Sequence, residues 1–86
     1  MFVILAYDVN QKRVGKVLKV CRKYLVHVQR SVFEGKITQA QLERLKKEIK
    51  KIINTDQDSV CIYHMESVKY MLKEEIGRAV DNSNII

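Results

Sequence analysis

The stretch that decides the fold is Phe2-Val3-Ile4-Leu5-Ala6-Tyr7, an unbroken apolar run that stops at Asp8. A short, continuously apolar segment is typical of a central β-strand covered on both faces. The run is far shorter than the roughly 20 residues needed to span a bilayer. No basic segment precedes it, as one would in an export signal. The sequence therefore predicts a buried strand and no membrane role.

Helical spacing and strand alternation then predict the remaining elements. The apolar positions of the second segment recur along one side of a helix; they are Val14, Val17, Leu18, Cys21 and Leu25. A second helix begins at the capping box formed by Thr38 and Gln41. Residues 27–33 and 59–63 alternate as strands. Residues 34–37 either continue the former strand past a kink at Gly35 or turn back as its hairpin partner.

This order of elements predicts an α+β fold of the ferredoxin-like βαββαβ type, an antiparallel sheet with two helices on one face. Its 86 residues make one domain. A chain this short buries only about 60% of its unfolded surface, so it would gain from a partner subunit. A second copy is the simplest cover for the other sheet face. We assign residues 1–64 to the ferredoxin-like domain and 65–86 to a C-terminal arm, either a short helix or an extended segment that reaches the dimer partner.

The positive charge is concentrated in one segment. The formal net charge is +6, and no acidic residue lies between Val9 and Phe33. A localised basic face is typical of a protein that binds a polyanion, above all a nucleic acid. The alternative is an ordinary solvated helix face. The basic residues of the segment are Lys12, Arg13, Lys16, Lys19, Arg22, Lys23 and Arg30. His27, within this segment, either contacts a phosphate or is a surface histidine without a role in binding.

Asp8 is the first candidate for chemistry, because it stands directly after the buried strand. A carboxylate there can bind a metal or act in catalysis, but Asp is also favoured as the N-cap of a following helix. Spacing alone favours the N-cap. One carboxylate is too few for a two-metal hydrolase. In a two-fold dimer, however, two Asp8 side chains can face each other across the axis. A Mg²⁺ between them could activate water against a phosphodiester.

The aromatic and cysteine residues add less. Tyr7, Tyr24 and Phe33 could stack on bases, but the aromatic signature of an RNA-recognition domain is missing, so a core or interface role for Phe33 is stronger. Cys21 and Cys61 form no CxxC pair. They predict free thiols in a reducing, cytoplasmic compartment.

The chain resembles a known family over residues 2 to about 64. The matching parts are Tyr7-Asp8-Val9, Arg13, the basic helix from Lys16 to Leu25, the block Val28-Gln29-Arg30-Ser31-Val32-Phe33-Glu34-Gly35, and Asp58-Ser59-Val60-Cys61-Ile62-Tyr63. Together they resemble the small CRISPR-associated adaptation protein, the family known as the CRISPR-associated endoribonuclease. The tail, with Tyr70 and residues 76–77 and 81–86, resembles one branch of it.

The resemblance implies a homodimer whose C-terminal segment crosses onto the other subunit. It implies that Asp8 is the metal ligand and catalytic carboxylate at the dimer axis, with Mg²⁺ or Mn²⁺ as cofactor, in an endonuclease acting on RNA or duplex DNA. It also implies spacer acquisition in antiviral defence, with the dimer bridging subunits of the CRISPR integrase along duplex DNA. A non-catalytic nucleic-acid-binding scaffold is the alternative. We expect Tyr7, Ser31 and Phe33 beside the site or at the interface.

Overall fold

The central strand of the sheet is the one formed by the apolar run. A computed structural model describes residues 1–67 and 70–78. Five strands form one antiparallel sheet in the order β2-β3-β1-β4-β5, and α1 and α2 pack against each other. The elements are β1 (Phe2–Asp8), α1 (Gln11–Tyr24), β2 (Val26–Gln29), β3 (Val32–Lys36), α2 (Gln39–Ile52), β4 (Ser59–Ser67) and β5 (Tyr70–Gly77). The predicted ferredoxin-like order is confirmed, with β5 added as a fifth strand.

The two faces of β1 differ in burial. Val3 and Leu5 point to the helices and have no exposed surface, where they join the core with Phe33, Leu42 and other apolar residues. The alternate residues Phe2, Ile4 and Ala6 are only half-buried. Among the described residues, the helix face of β1 is therefore fully buried at Val3 and Leu5 and its other face only partly buried, whereas the sequence predicted burial of both faces.

Side-chain caps define where both helices begin. The Asn10 side chain accepts a hydrogen bond from the Lys12 backbone N–H and caps α1. The capping box predicted at Thr38 and Gln41 is present in full at the start of α2. The N-cap alternative for Asp8 is therefore wrong, because Asn10 holds that position and leaves the Asp8 carboxylate available.

The segment predicted as one strand over residues 27–33 is instead a hairpin. β2 ends at Gln29, the chain turns at Arg30 and Ser31, and β3 begins at Val32. Residues 34–36 continue the strand that contains Phe33, as the first alternative for residues 34–37 predicted, but neither alternative located the turn. An irregular register between His27 and Gln29 interrupts the alternation on β2, and a period-two pattern cannot reveal a two-residue turn that lacks glycine.

The described part of the tail, residues 65–67 and 70–77, is extended rather than helical. β4 continues to Ser67, past the predicted boundary between residues 64 and 65, and β5 pairs with β4 of the same chain. Residues 68–69 and 79–86 lie outside the described residues, and so does the predicted apolar end of the arm. The reach of the arm onto a second subunit stays a prediction. In the part of the chain that the structure describes, no helix has the length and apolarity to cross a bilayer.

Candidate functional site

The Asp8 carboxylate is exposed at the end of β1. Its side chain is 76% accessible, and Oδ2 accepts a 2.6 Å hydrogen bond from Nη2 of Arg78. Asp8 is paired with Ser59 on β4, and Ser59 with Gly77 on β5. This register carries Arg78, the residue after β5, to the carboxylate. Since both partners are exposed, the ion pair is weak and readily displaced.

A buried carboxylate stabilises the loop that follows Asp8. Asp58 has no exposed surface. It accepts hydrogen bonds from the backbone N–H groups of Asn10 (3.0 Å) and Asn54 (2.9 Å). Arg13 donates to it through Nε (2.6 Å) and Nη2 (3.0 Å). Hydrogen bonding from Arg13 is the main cause that holds the pKa of Asp58 well below its usual range. Arg13, predicted to contact nucleic acid, is thus bound to Asp58, with 22% of its side chain accessible.

Asp58 also holds the end of β5 in place through its backbone carbonyl. The Arg78 backbone N–H donates to the Asp58 carbonyl at 2.8 Å. Gly77 precedes it with φ +97°, a conformation that L side chains rarely adopt, and a Cβ there would lie 2.2 Å from that carbonyl oxygen. Glycine is therefore required at this point. Sequence reasoning missed Arg78 and the role of Asp58, because a distant cross-strand register brings them together.

The exposed side of α1 carries most of the predicted phosphate contacts. Lys23 forms an ion pair with Glu48 on α2. Within the described residues, none of the other exposed cations of α1 forms an ion pair, so they remain available to an external anion. Those cations are Lys12, Lys16, Lys19 and Arg22.

The β2–β3 turn brings the remaining predicted residues together next to Tyr7. The Tyr7 hydroxyl donates to the Arg30 carbonyl at 3.0 Å, and its backbone N–H donates to the Ser31 carbonyl at 3.0 Å. His27 stacks on Phe33 with ring centroids 4.5 Å apart, and its Nε2 lies 3.2 Å from the Arg30 carbonyl oxygen. Phe33 is fully buried, which agrees with the core alternative. Hydrogen bonds from Tyr7, the residue before Asp8 on β1, therefore hold the turn that carries the exposed Arg30 side chain.

The described residues of one chain do not form a metal site by themselves. In residues 1–67 and 70–78 no cluster of three or more His, Cys, Asp or Glu side chains could hold a metal ion. Asp8 is an exposed oxygen ligand, whereas the buried Asp58 is saturated by its hydrogen bonds. Mg²⁺ usually takes only one or two protein carboxylates and keeps several waters. A single exposed carboxylate such as Asp8 is compatible with this preference.

These features define a small α+β domain with a ferredoxin-like sheet, an exposed carboxylate at a strand end and a basic helix beside it. The sequence profile of the family described as "CRISPR associated protein Cas2" matches residues 1–79. The chain belongs to this CRISPR-associated Cas2 family, and the resemblance found in the sequence is confirmed.

Individual relatives agree with this assignment. Proteins named "CRISPR-associated endoribonuclease Cas2" from Dictyoglomus turgidum and Thermotoga maritima are 52% and 48% identical over 77 residues, which are 90% of this chain and 88% of each relative. A crystal structure of a Cas2 protein is similar with a TM-score of 0.75 at 42% identity, over 91% of this chain and 87% of that one. Streptococcus pyogenes Cas2, crystallised at pH 6.5, gives 0.70 at 37% identity over 76% and 86%.

Proposed function

We propose that this chain is a metal-dependent endonuclease of the CRISPR adaptation machinery, cleaving phosphodiester bonds of RNA or duplex DNA. The main support for the proposal is the Asp8 carboxylate, which is exposed and does not cap α1 because Asn10 is the N-cap. Its relatives' names, which include an endoribonuclease activity, support the same conclusion. In this proposal Asp8 is the metal ligand and catalytic carboxylate.

The active form would be a homodimer. The half-buried side of the sheet presents Phe2 and Ile4 on β1, and their cross-strand partners Met65 and Tyr63 on β4. A second copy that covers these side chains would bury their apolar surface, and each Å² buried would stabilise the dimer by about 25 cal/mol. A two-fold axis there would set two Asp8 side chains against each other. Because β5 pairs with β4 of its own chain and forms an edge of the sheet, the C-terminal arm would contact the partner subunit through that edge.

When bound between two Asp8 carboxylates, Mg²⁺ or Mn²⁺ would supply an activated water and neutralise charge on the scissile phosphate. The residues of this chain would do the rest. Asp58 and Arg13 would hold the loop after Asp8 in place, and the exposed cations would retain the substrate backbone.

Replacing Arg78 should strengthen metal binding, because its guanidinium donates a hydrogen bond to Asp8 Oδ2 and would compete with a metal ion for that oxygen. We expect Arg78→Ala to raise the affinity for Mn²⁺ by at most about fivefold, since an exposed ion pair is weak. Paramagnetic broadening of NMR signals near Asp8 measures this affinity. The control is Arg44→Ala at an exposed position of α2, which also removes one positive charge and should leave the Mn²⁺ affinity unchanged. An unchanged affinity for Arg78→Ala would show that the ion pair does not compete with the metal.

A second function is favoured by four exposed cations of α1 that form no ion pair among the described residues, Lys12, Lys16, Lys19 and Arg22. As a non-catalytic scaffold, the dimer would lie along the backbone of duplex DNA and bridge subunits of the CRISPR integrase during spacer acquisition. Binding would then depend on α1 and not on Asp8.

Duplex affinity should depend strongly on salt and on α1. Each phosphate contact adds about 0.9 to the slope of log affinity against log salt. Changing Lys12, Lys16, Lys19 and Arg22 together to Gln should lower this slope by up to about 3.6. The control changes the same number of exposed α2 cations, Arg44, Lys47, Lys50 and Lys51, to Gln, and should have a smaller effect. Equal losses would mean that net charge alone, rather than the α1 face, governs binding.

A further inference from the structure

Gly15 is an exposed glycine in the body of α1, and no contact among the described residues explains it. Glycine within a helix costs about 1 kcal/mol relative to alanine. Its φ is not positive, unlike that of Gly77. A Cβ built on Gly15 would meet no atom within 4 Å. Neither backbone conformation nor packing within the described residues therefore requires glycine at this position.

The surroundings of Gly15 are cationic. Residues three and four positions apart are neighbours on a helix surface, so Lys12 and Lys19 flank Gly15 along the helix. Arg22 follows one turn beyond Lys19 on the same side. All three side chains are exposed, and none forms an ion pair within the described residues. Gly15 is thus a gap in the side-chain layer, bordered by positive charges that are open to an external anion.

We propose that Gly15 is where the sugar–phosphate backbone of a duplex approaches α1 most closely, with Lys12 and Lys19 contacting phosphates on either side. The inference rests on the proposed nucleic-acid binding and adds the point of contact. A missing Cβ lets a neighbouring backbone come closer to the helix axis, and long lysine side chains can then reach phosphates on both sides. A second copy of this α1 face would not fit the gap, because it would bring like charges together.

The distinguishing property of this site is that stability and binding should change in opposite directions. Gly15→Ala should raise the midpoint of urea unfolding, since alanine is the better helix former. The same variant should bind a short DNA duplex more weakly. The leucine side chain of Gly15→Leu should keep the DNA backbone away from α1. The salt slope should then fall by about 0.9 or more, which corresponds to the loss of at least one phosphate contact.

The matched control places leucine on another exposed helix position. Ala40 lies in the first turn of α2 and is exposed, so Ala40→Leu should leave duplex affinity unchanged. Fluorescence anisotropy with a labelled duplex in EDTA measures affinity without any contribution from cleavage. Circular dichroism establishes that each variant is folded.

The outcomes separate this inference from the proposed function. If the unmodified protein binds the duplex with a steep salt slope but Gly15→Ala and Gly15→Leu bind equally well, the inference is wrong and nucleic-acid binding stands. If the unmodified protein shows no salt-dependent binding, the proposed function itself fails. If Gly15→Leu weakens self-association while duplex affinity is unchanged, the gap serves a protein contact and the inference is also wrong.

Discussion

Asp8→Asn is expected to abolish Mg²⁺-dependent cleavage while the protein still binds its nucleic acid. The substitution removes the charged metal ligand but keeps the shape of the side chain. Loss of a residue that only supports a metal ligand typically costs 10–100-fold, so loss of the ligand should cost at least about a hundredfold. Asp8 is 76% accessible, and exposed substitutions usually change stability little. The loss should therefore appear in the cleavage rate and not in folding.

Binding measured in EDTA supplies the other half of this test. Asp8→Asn removes a negative charge and releases Arg78, so duplex affinity should be equal or slightly higher. The control is Asp56→Asn, which neutralises an exposed carboxylate in the turn before β4 and should leave cleavage intact. Cleavage that survives Asp8→Asn would point to a contaminating nuclease or another site. A chain that binds duplex but never cleaves would support the scaffold function instead.

Asp58→Ala should cause the largest loss of stability among the substitutions considered. The change removes the charged partner of Arg13 and the acceptor of its Nε and of two backbone N–H groups. Breaking a buried ion pair by removing one partner costs about 3–5 kcal/mol, and partial exposure of Arg13 favours the lower value. Total stabilities are only about 5–15 kcal/mol. Urea unfolding should show the loss, and Asp56→Ala should stay within about 0.5 kcal/mol of the parent. Equal effects would contradict the assigned role.

The same carboxylate gives stability a defined pH dependence. The folded-state pKa of Asp58 is lowered, chiefly by hydrogen bonding from Arg13. Its contribution is therefore fully present above the unfolded pKa of about 3.9 and is lost as pH falls below that value toward the folded pKa. The difference in unfolding free energy between the parent and Asp58→Asn should stay constant from neutral pH to about pH 5 and shrink below about pH 4. A constant difference throughout would mean that Asp58 titrates normally in the folded chain.

The sequence predicted those features that depend on local periodicity and composition. The apolar run of β1, the apolar stripe of α1 and the capping box at Thr38 all correspond to structure. The exposure of the α1 cations followed from the same helical pattern. Each of these features depends on residues within a few positions of one another, and such patterns are visible without knowledge of the fold.

What the sequence did not predict depends on contacts between distant residues. The turn at Arg30 and Ser31 carries no glycine signal and is held by Tyr7 from another strand. Arg13 looked like its basic neighbours, yet a partner 45 positions away binds it. Arg78 reaches Asp8 across 70 positions through the register of β4 and β5. Spacing along the chain cannot reveal such partners, because the sheet topology selects them.

In the proposed dimer, the Asp8 residues of two chains form one metal site. Titrating the purified protein with Mn²⁺ and counting bound ions by electron paramagnetic resonance tests it directly. We predict one ion for every two chains, as a site on a two-fold axis requires, and no bound ion in Asp8→Asn. One ion for each chain, or binding that persists after Asp8→Asn, would contradict the claim.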